Sequence, residues 1–388
     1  MLETHLIPKN NNITESVSSV KKHYMAFKTE GIKYSGSKLK LLPYILSITD
    51  SLPVKKIFDG FSGTTRVSQA FAKSGYQVAS NDISIWSKIF GQCYLKGWKN
   101  QQLQQKIDHL NNIKGYEGWF TKHYGGKVNN GLSCHSDGKK KIWQIHNTKK
   151  LDAIRAEVDK IAEHSIEKSI LLTSLILALD KVDNTLGHYV SYLRKWSPRS
   201  FKTMKLVMPW MEETKPIGHE VINQDIFTAL HQAKADLSYF DPPYGSNNDK
   251  MPPSRVRYAS YYHIWKTICL NDEPKLVGVT NRRADSNDKE AGSIFEEFRK
   301  NKDGKFIALM AIERMIKECS SPYILLSYNN GGRATKEEIC DTISKYSKKT
   351  KVFSIDYKRN VMSGMRWTHH WIKNNEEKNI EFLFLIKK

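Results

Sequence analysis

The sequence predicts an α/β protein, a doubly wound parallel sheet interrupted by a long, mainly helical insertion. Three observations predict it. Residues 55–82 run strand, glycine turn, helix, strand, the unit from which parallel sheets are wound. That rhythm stops near residue 100 and a helical pattern takes over by residue 151. The rhythm resumes near residue 219 and strand-like stretches continue to the end.

Residues 1–25 are polar and rich in Asn, and read as a flexible lead-in. Lys55–Asp59 reads as a short buried strand, Gly60–Thr65 as a turn and Arg66–Ser74 as a helix. Gly75 stands where a C-capping glycine belongs. Tyr76–Ser80 is a second strand, closing on Asn81-Asp82 before another helical stretch. Residues 100–150 are polar, rich in Gly, Asn, Lys and aromatics, and show no sustained period. Residues 151–180 carry a helical stripe through Ile161, Ile166, Ile170, Leu172, Leu175, Ile176 and Leu179, which reads as core. Val221–Asp225, Leu237–Asp241, Leu276–Thr280 and Tyr323–Tyr328 read as strands, and Lys351–Tyr357 with Ile380–Lys387 as an antiparallel pair. The expected division is one α/β domain from 26–100 and 215–388, with 101–214 inserted.

Composition narrows the function. The chain has 388 residues, 61 Lys plus Arg and 40 Asp plus Glu, a net charge of +21. Such a surplus favours a polyanionic partner, nucleic acid first. The longest apolar stretch, Ile170–Leu179, is too short to span a bilayer, and the N-terminus has no secretory apolar core. The expectation is a soluble intracellular protein. Five Cys with no CxxC spacing, and 13 His with no ligand spacing, give no ground for a disulfide framework or a metal site.

The sharpest motif is Asp241-Pro242-Pro243-Tyr244 at the end of an apolar strand. Two prolines force the chain out of the sheet, at the carboxyl edge where open α/β sheets bind ligands. The turn joins a carboxylate, a carbonyl and an aromatic face. Asp241 and the Pro242 carbonyl could each accept one N–H of an exocyclic amine, while Tyr244 stacks on the base. Stacking is worth roughly 1–3 kcal/mol.

Two weaker motifs precede it. Asp59-Gly60-Phe61-Ser62-Gly63-Thr64 follows the first strand, where glycine admits a ligand close to the backbone. It lacks the later glycines of a dinucleotide fingerprint. Asp82, at the end of the next strand, suits either a ribose diol or a helix N-cap. Lys33-Tyr34-Ser35-Gly36-Ser37-Lys38 fails as a P-loop because it lacks Gly-Lys-Ser/Thr and precedes the first strand. A basic residue in its tight loop could bind a small carboxylate.

These three segments, in this order, resemble the alpha-group (Dam-like) N6-adenine-specific DNA methyltransferases. Asn184-Thr185-Leu186-Gly187-His188-Tyr189 through Tyr192-Leu193-Arg194-Lys195-Trp196 is similar to a stretch of one branch of that family. Ser254-Arg255, Tyr261-Tyr262-His263, Arg282-Arg283 and Ser327-Tyr328-Asn329-Asn330 extend the resemblance over most of residues 30–360. The resemblance implies a Rossmann-like sheet that binds S-adenosylmethionine, with 101–214 as a target-recognition domain. It implies methyl transfer to adenine N6 of double-stranded DNA after base flipping, with Asp241, Pro242, Pro243 and Tyr244 catalytic. Tyr34, Lys38, Asp59, Phe61, Gly63, Asp82, Asp225 and Asp241 would bind the cofactor, and no metal takes part. The setting would be cytoplasmic, on the nucleoid, with a cognate restriction endonuclease acting separately on the same site. One departure stands out: the family's second loop glycine is Thr65 here. A β-branched residue disfavours positive φ, so the loop is expected to bend without a left-handed residue there.

The insertion is basic and aromatic. Lys181–Lys205 holds six Lys or Arg and one acid, Asp183, interleaved with Tyr189, Tyr192, Trp196 and Phe201. Arg194, Lys195 and Arg199 are candidates for phosphate contact, or form a solvated face over packed aromatics. Arg255, Arg257 and Tyr258 follow the Asp-Pro-Pro-Tyr turn and would face DNA or pair within the fold. N4-cytosine or RNA methylation, and a DNA-binding module without catalysis, are the alternatives.

Overall fold

The computed structural model describes residues 13–17, 28–128, 131–133, 137–211, 218–245, 257–356 and 380–388. Along the chain, β1 (Ile13–Val17) precedes α1 (Leu42–Asp50). Then come β2 (Lys56–Asp59), α2 (Arg66–Lys73), β3 (Gln77–Asn81) and α3 (Ile85–Lys96). Next are α4 (Gln101–Asn112), α5 (Trp119–Tyr124), the short β4 (Gly125–Gly126) and β5 (Trp143–Gln144), α6 (Ile145–Ile161) and α7 (Ser165–Val182). β6 (Glu220–Ile222), α8 (Ile226–Gln232) and β7 (Leu237–Phe240) follow. After them lie α9 (Tyr258–Tyr261), α10 (His263–Leu270), β8 (Leu276–Val277) and β9 (Arg282–Arg283). α11 (Asp288–Ala291), α12 (Ile307–Glu318), β10 (Tyr323–Asn329), α13 (Lys336–Ser344), β11 (Lys349–Asp356) and β12 (Ile380–Lys387) complete the chain.

The chain forms two compact units, Lys22–Ala229 with Arg257–Gly292, and Met1–Lys21 with Leu230–Val256 and Ser293–Lys388. In the first, the glycine-turn unit, β2, β3 and β6 are neighbours and all parallel. In the second, the double-proline unit, the order is β1-β11-β12-β10-β7. There β1 is parallel to β11 and β10 to β7, while β12 is antiparallel to both its neighbours. The result is a mixed α/β protein in which parallel pairing dominates. The antiparallel C-terminal pair stands as the sequence predicts.

Local chemistry explains the elements around the glycine turn. β2 is buried at Ile57, Phe58 and Asp59. α2 ends in a Schellman motif: Gly75 takes φ +88°, its N–H reaches Ala72 O, and the Tyr76 N–H reaches Phe71 O.

Three expectations are corrected. Leu276–Thr280 is a strand only over Leu276–Val277. Its first two residues pair with Arg282-Arg283 in a hairpin, because Gly278 (φ +74°) and Asn281 (φ +51°) turn the chain back. Residues 100–150 are not aperiodic. α4 buries only Leu103, Ile107 and Leu110 among polar neighbours, a stripe too sparse to register, and Asn100 caps it by accepting the Leu103 N–H at 2.7 Å. Residues 151–180 are two helices, and α7 is buried on all sides rather than amphipathic. α7 packs against α3, α6 and α10, so Trp86, Phe90, Leu151, Ile154, Leu175 and Trp265 share one core with it.

Among the described residues no helix is long and apolar enough to cross a membrane. Cys93, Cys269, Cys319 and Cys340 are free thiols.

Candidate active site

In the glycine-turn unit, β2 delivers Asp59 fully buried, its Oδ2 accepting the Ser68 hydroxyl at 2.6 Å. The chain then bends sharply through Phe61, half-buried, and Gly63. Gly63 has φ +48°, and a Cβ there would lie 3.3 Å from the Tyr34 ring and its hydroxyl. Both backbone and space therefore require glycine. Its N–H donates to Asp82 Oδ2 at 2.9 Å.

Thr65 corrects the sequence expectation: it is left-handed, with φ +59° and ψ +12°, and fully buried. Its N–H closes the turn onto Ser62 O at 2.6 Å. Its hydroxyl donates to Thr64 O and accepts from Gln69 Nε2, and these contacts offset a strain of about 1–2 kcal/mol.

Asp82 clasps two backbones. Besides Gly63, it accepts the Ser84 N–H at 2.8 Å, while Ser84 itself is the α3 N-cap. Burial pushes the Asp82 carboxyl above its ordinary value, opposed by those two N–H groups. The turn after β6 adjoins it: Asn223 Nδ2 donates to Asp82 O at 2.7 Å. Asp225 in that turn is exposed and starts α8 by accepting the Phe227 N–H at 2.9 Å.

Tyr34 reaches the glycine turn on a segment held from several sides. Arg66 donates to Thr29 O and Gly31 O, and Gln69 brackets Glu30 through its N–H and carbonyl. The Tyr34 ring stacks on Tyr262 at 4.7 Å and meets Tyr258 at 5.4 Å and Trp86 at 5.7 Å. The Ser35 N–H donates to the Tyr262 hydroxyl at 2.7 Å, and the Tyr258 hydroxyl to Ser35 O at 3.3 Å. Tyr258 therefore belongs to the wall around Tyr34. Lys38 is buried in the one-turn helix that follows.

Sequence reasoning missed the anchor beneath this segment. Lys33 Nζ reaches Asp183 Oδ1 and the Asp180 carbonyl, each at 2.5 Å. Asp183 is fully buried and also accepts from Arg199 Nη2 at 2.8 Å, the Thr185 hydroxyl at 2.5 Å and the Tyr189 hydroxyl at 3.1 Å. Burial pushes Asp180 up to about 6, against the pull of Lys33 and with a further push from Asp183. Arg199 is thus engaged inside the fold, and it also donates to Asp183 O and Thr185 O. Tyr189, Tyr192 and Trp196 are buried, Phe201 is exposed, and Arg194 and Lys195 are exposed. Arg257 is half-buried at the start of α9, and Arg255 lies outside the described residues. His263 is buried, its Nε2 on Tyr189 O at 3.1 Å, and burial lowers it to about 3. His188 stacks on Tyr261 at 4.7 Å.

In the double-proline unit, β7 is buried at every position and runs directly into Asp241, half-buried. Pro242 is buried, while Pro243 and Tyr244 are half-buried. The turn is fixed from the end of β10. The Arg333 N–H donates to Tyr244 O at 2.9 Å, and the Tyr244 ring lies 5.3 Å from Tyr328, tilted by 57°. Gly245 follows with φ +59° beneath the Arg333 side chain. Tyr328 and its neighbours hold that strand end: Ser327 and Asn329 both donate to Glu381, and the Ala334 N–H to the Tyr328 hydroxyl.

A family model described as D12 class N6 adenine-specific DNA methyltransferase matches residues 34–296, so the match includes the Tyr34 segment, the glycine turn and the double-proline turn. Modification methylase StsI of Streptococcus sanguinis is 28% identical over 339 residues, covering 81% of this chain and 46% of that protein. Type II methyltransferase M.NlaIII of Neisseria lactamica is 26% identical over 328 residues, covering 82% and 89%. Type II methyltransferase M.FokI of Planomicrobium okeanokoites is 26% identical over 332 residues, covering 79% and 46%. The chain thus matches about half the length of StsI and M.FokI and most of M.NlaIII.

Proposed function

The chain belongs to the D12 class N6 adenine-specific DNA methyltransferases, and from that membership we propose that it methylates adenine N6 at specific sites in double-stranded DNA. The observation that carries the reading is the Asp241–Tyr244 turn, locked by the Arg333 N–H at the end of a fully buried strand. Adenine N6 is a poor nucleophile because its lone pair is delocalised into the ring. Asp241 and the Pro242 carbonyl would each accept one of its N–H groups, drawing the nitrogen toward tetrahedral geometry and aiming the lone pair. Tyr244, half-exposed, offers a face for the extruded base, whose unstacking costs a few kcal/mol.

The donor we infer is S-adenosylmethionine, which when bound supplies an electrophilic methyl group on a sulfonium. The residues fit such a group: a Cβ-free turn at Gly63, an acid at Asp82 beside it, and Tyr34 packed across it. Tyr34 and Lys38 would hold its amino-acid end, Asp59, Phe61 and Gly63 the turn side, Asp82 the ribose and Asp225 the base. These side chains orient and exclude water, and none forms a covalent bond to substrate. Residues 26–100 with 215–388 would form the catalytic domain and 101–214 the target-recognition segment.

The relatives' names, modification methylase and type II methyltransferase, support a role in modification, and a separate endonuclease reading the same site is the partner we infer. The test is methylation of duplex DNA followed by digestion and mass spectrometry. N6-methyladenine is expected, and Asp241→Ala should lower its formation by at least a thousandfold with the thermal midpoint unchanged. N4-methylcytosine as product, or near-normal turnover in the variant, would overturn the assignment.

A further inference from the structure

The segments carrying Arg194 and Lys195 are knitted to two others far away in sequence. The Ser133 N–H donates to Arg194 O at 2.9 Å, and Leu132 bridges Lys195. On the other side, the Lys141 N–H donates to Ser133 O at 3.0 Å, and the Lys140 N–H to Val279 O at 3.1 Å. Four stretches, 193–195, 132–133, 139–141 and 278–280, therefore lie side by side as a ribbon. Strand spacing makes it roughly 14 Å wide.

The ribbon is braced by hydrogen bonds at its hairpin edge. The Tyr192 hydroxyl donates to Thr280 O at 2.5 Å, the Tyr124 hydroxyl to Asn281 O at 2.8 Å, and Asn281 Nδ2 to His123 O at 2.7 Å. At the hairpin base, buried Arg283 forks onto Asp272 and Asp285 at 2.6–2.9 Å.

The ribbon is rich in cations. Lys139 and Lys140 lie in it half-buried, the Lys139 ammonium donating to Gly278 O at 2.8 Å beside the hairpin tip, and Arg194 and Lys195 are exposed. Lys140, Arg194 and Lys195 have no carboxylate partner among the described residues. The acid in the ribbon, Asp137, already accepts the Lys139 N–H and pairs with Lys141 at 3.4 Å. At one edge the hairpin tip presents Val279, 53% exposed, beside Gly278. A braced platform with four cations, one spent acid and one apolar tip is complementary to a phosphate backbone with base edges beside it.

We infer that this ribbon is a duplex-docking surface, in which Lys139, Lys140, Arg194 and Lys195 neutralise phosphates while the Gly278–Val279 tip lies against the groove. The inference rests on the reading of double-stranded DNA as substrate. It adds Lys139, Lys140 and the 276–283 hairpin to the contact surface and leaves Arg199 out, since Arg199 is held by Asp183.

The experiment measures affinity for a labelled duplex containing a methylation site, across a salt series, for wild type and for Lys140→Ala/Arg194→Ala/Lys195→Ala. Each phosphate contact contributes about 0.9 to the slope of log affinity against log salt, so the variant should lose about 2–3 in slope. A control, Lys234→Ala/Lys302→Ala/Lys317→Ala, removes the same charge from exposed positions of the other unit and should keep the wild-type slope. Val279→Glu, at an exposed position, should weaken binding by tenfold or more with cofactor affinity and thermal midpoint unchanged. An unchanged slope in the ribbon variant, or equal loss in the control, while wild type still methylates DNA, overturns the surface and spares the function. A reduced slope in a protein that binds duplex but never yields N6-methyladenine sustains the surface and overturns the function.

Discussion

Asp183→Asn is the most telling substitution outside the double-proline turn, because it removes one charge and almost no volume. The carboxylate is fully buried and receives Lys33 at 2.5 Å and Arg199 at 2.8 Å, besides the hydroxyls of Thr185 and Tyr189. Two charge-assisted hydrogen bonds are lost, each worth about 1.5–3 kcal/mol. Two effects offset part of that. The Lys33 and Arg199 side chains are 34% and 36% exposed and regain water, and the push that Asp183 adds to the effect of burial on Asp180 disappears. The net loss should be about 3 kcal/mol, near the lower end for breaking a buried ion pair. For a unit of about 240 residues that lowers the thermal midpoint by roughly 6–12 °C. Scanning calorimetry measures it. Because Lys33 precedes Tyr34, cofactor affinity measured at a temperature well below both midpoints should fall as well, at least fivefold. A midpoint within 1 °C of wild type, with unaltered cofactor affinity, would refute the idea that this buried carboxylate anchors the Tyr34 segment.

Gly63→Ala should weaken cofactor binding about five- to tenfold in calorimetry, since the left-handed backbone costs Ala about 1 kcal/mol and the Tyr34 ring, 3.3 Å from the new methyl, must move; unchanged affinity would remove the turn from the site. Asp180 is raised from 3.8 to about 6 in the folded protein, so between those values the folded state holds a proton that the unfolded chain has released. Its contribution to stability therefore falls as pH rises from about 4 to 6, by at most about 1.4 kcal/mol per pH unit, and is level above that. Urea unfolding at several pH values should show this slope in wild type and a flatter one in Asp180→Asn; parallel profiles would contradict it.

The parts legible in the sequence are those whose cause is local. β2, the glycine turn, α2, Gly75 and β3 lie within residues 56–81, and apolar spacing plus two glycines account for them. The double-proline turn is equally local, since two prolines after an apolar strand leave the chain no other course. The residues 183–199 are different. Interleaved aromatics and cations there are compatible with a phosphate-contacting surface and with a solvated face over packed rings, and side-chain chemistry is the same in both. The choice is made by contacts that no window of sequence contains. Asn184 turns its side chain onto Leu193 O and Lys195 O, Asp183 is tied to Lys33 150 residues away, and the Tyr192 hydroxyl finds Thr280 O, 88 residues away. Those bonds put Tyr189, Tyr192 and Trp196 inside and leave Arg194 and Lys195 outside. Thr65 shows the same logic within one turn. Residue preference argues against a left-handed Thr, but the Ser62 carbonyl and the Gln69 amide, fixed by the helix that follows, hold it there. A propensity of one or two kcal/mol is decisive only where no buried hydrogen-bond network opposes it.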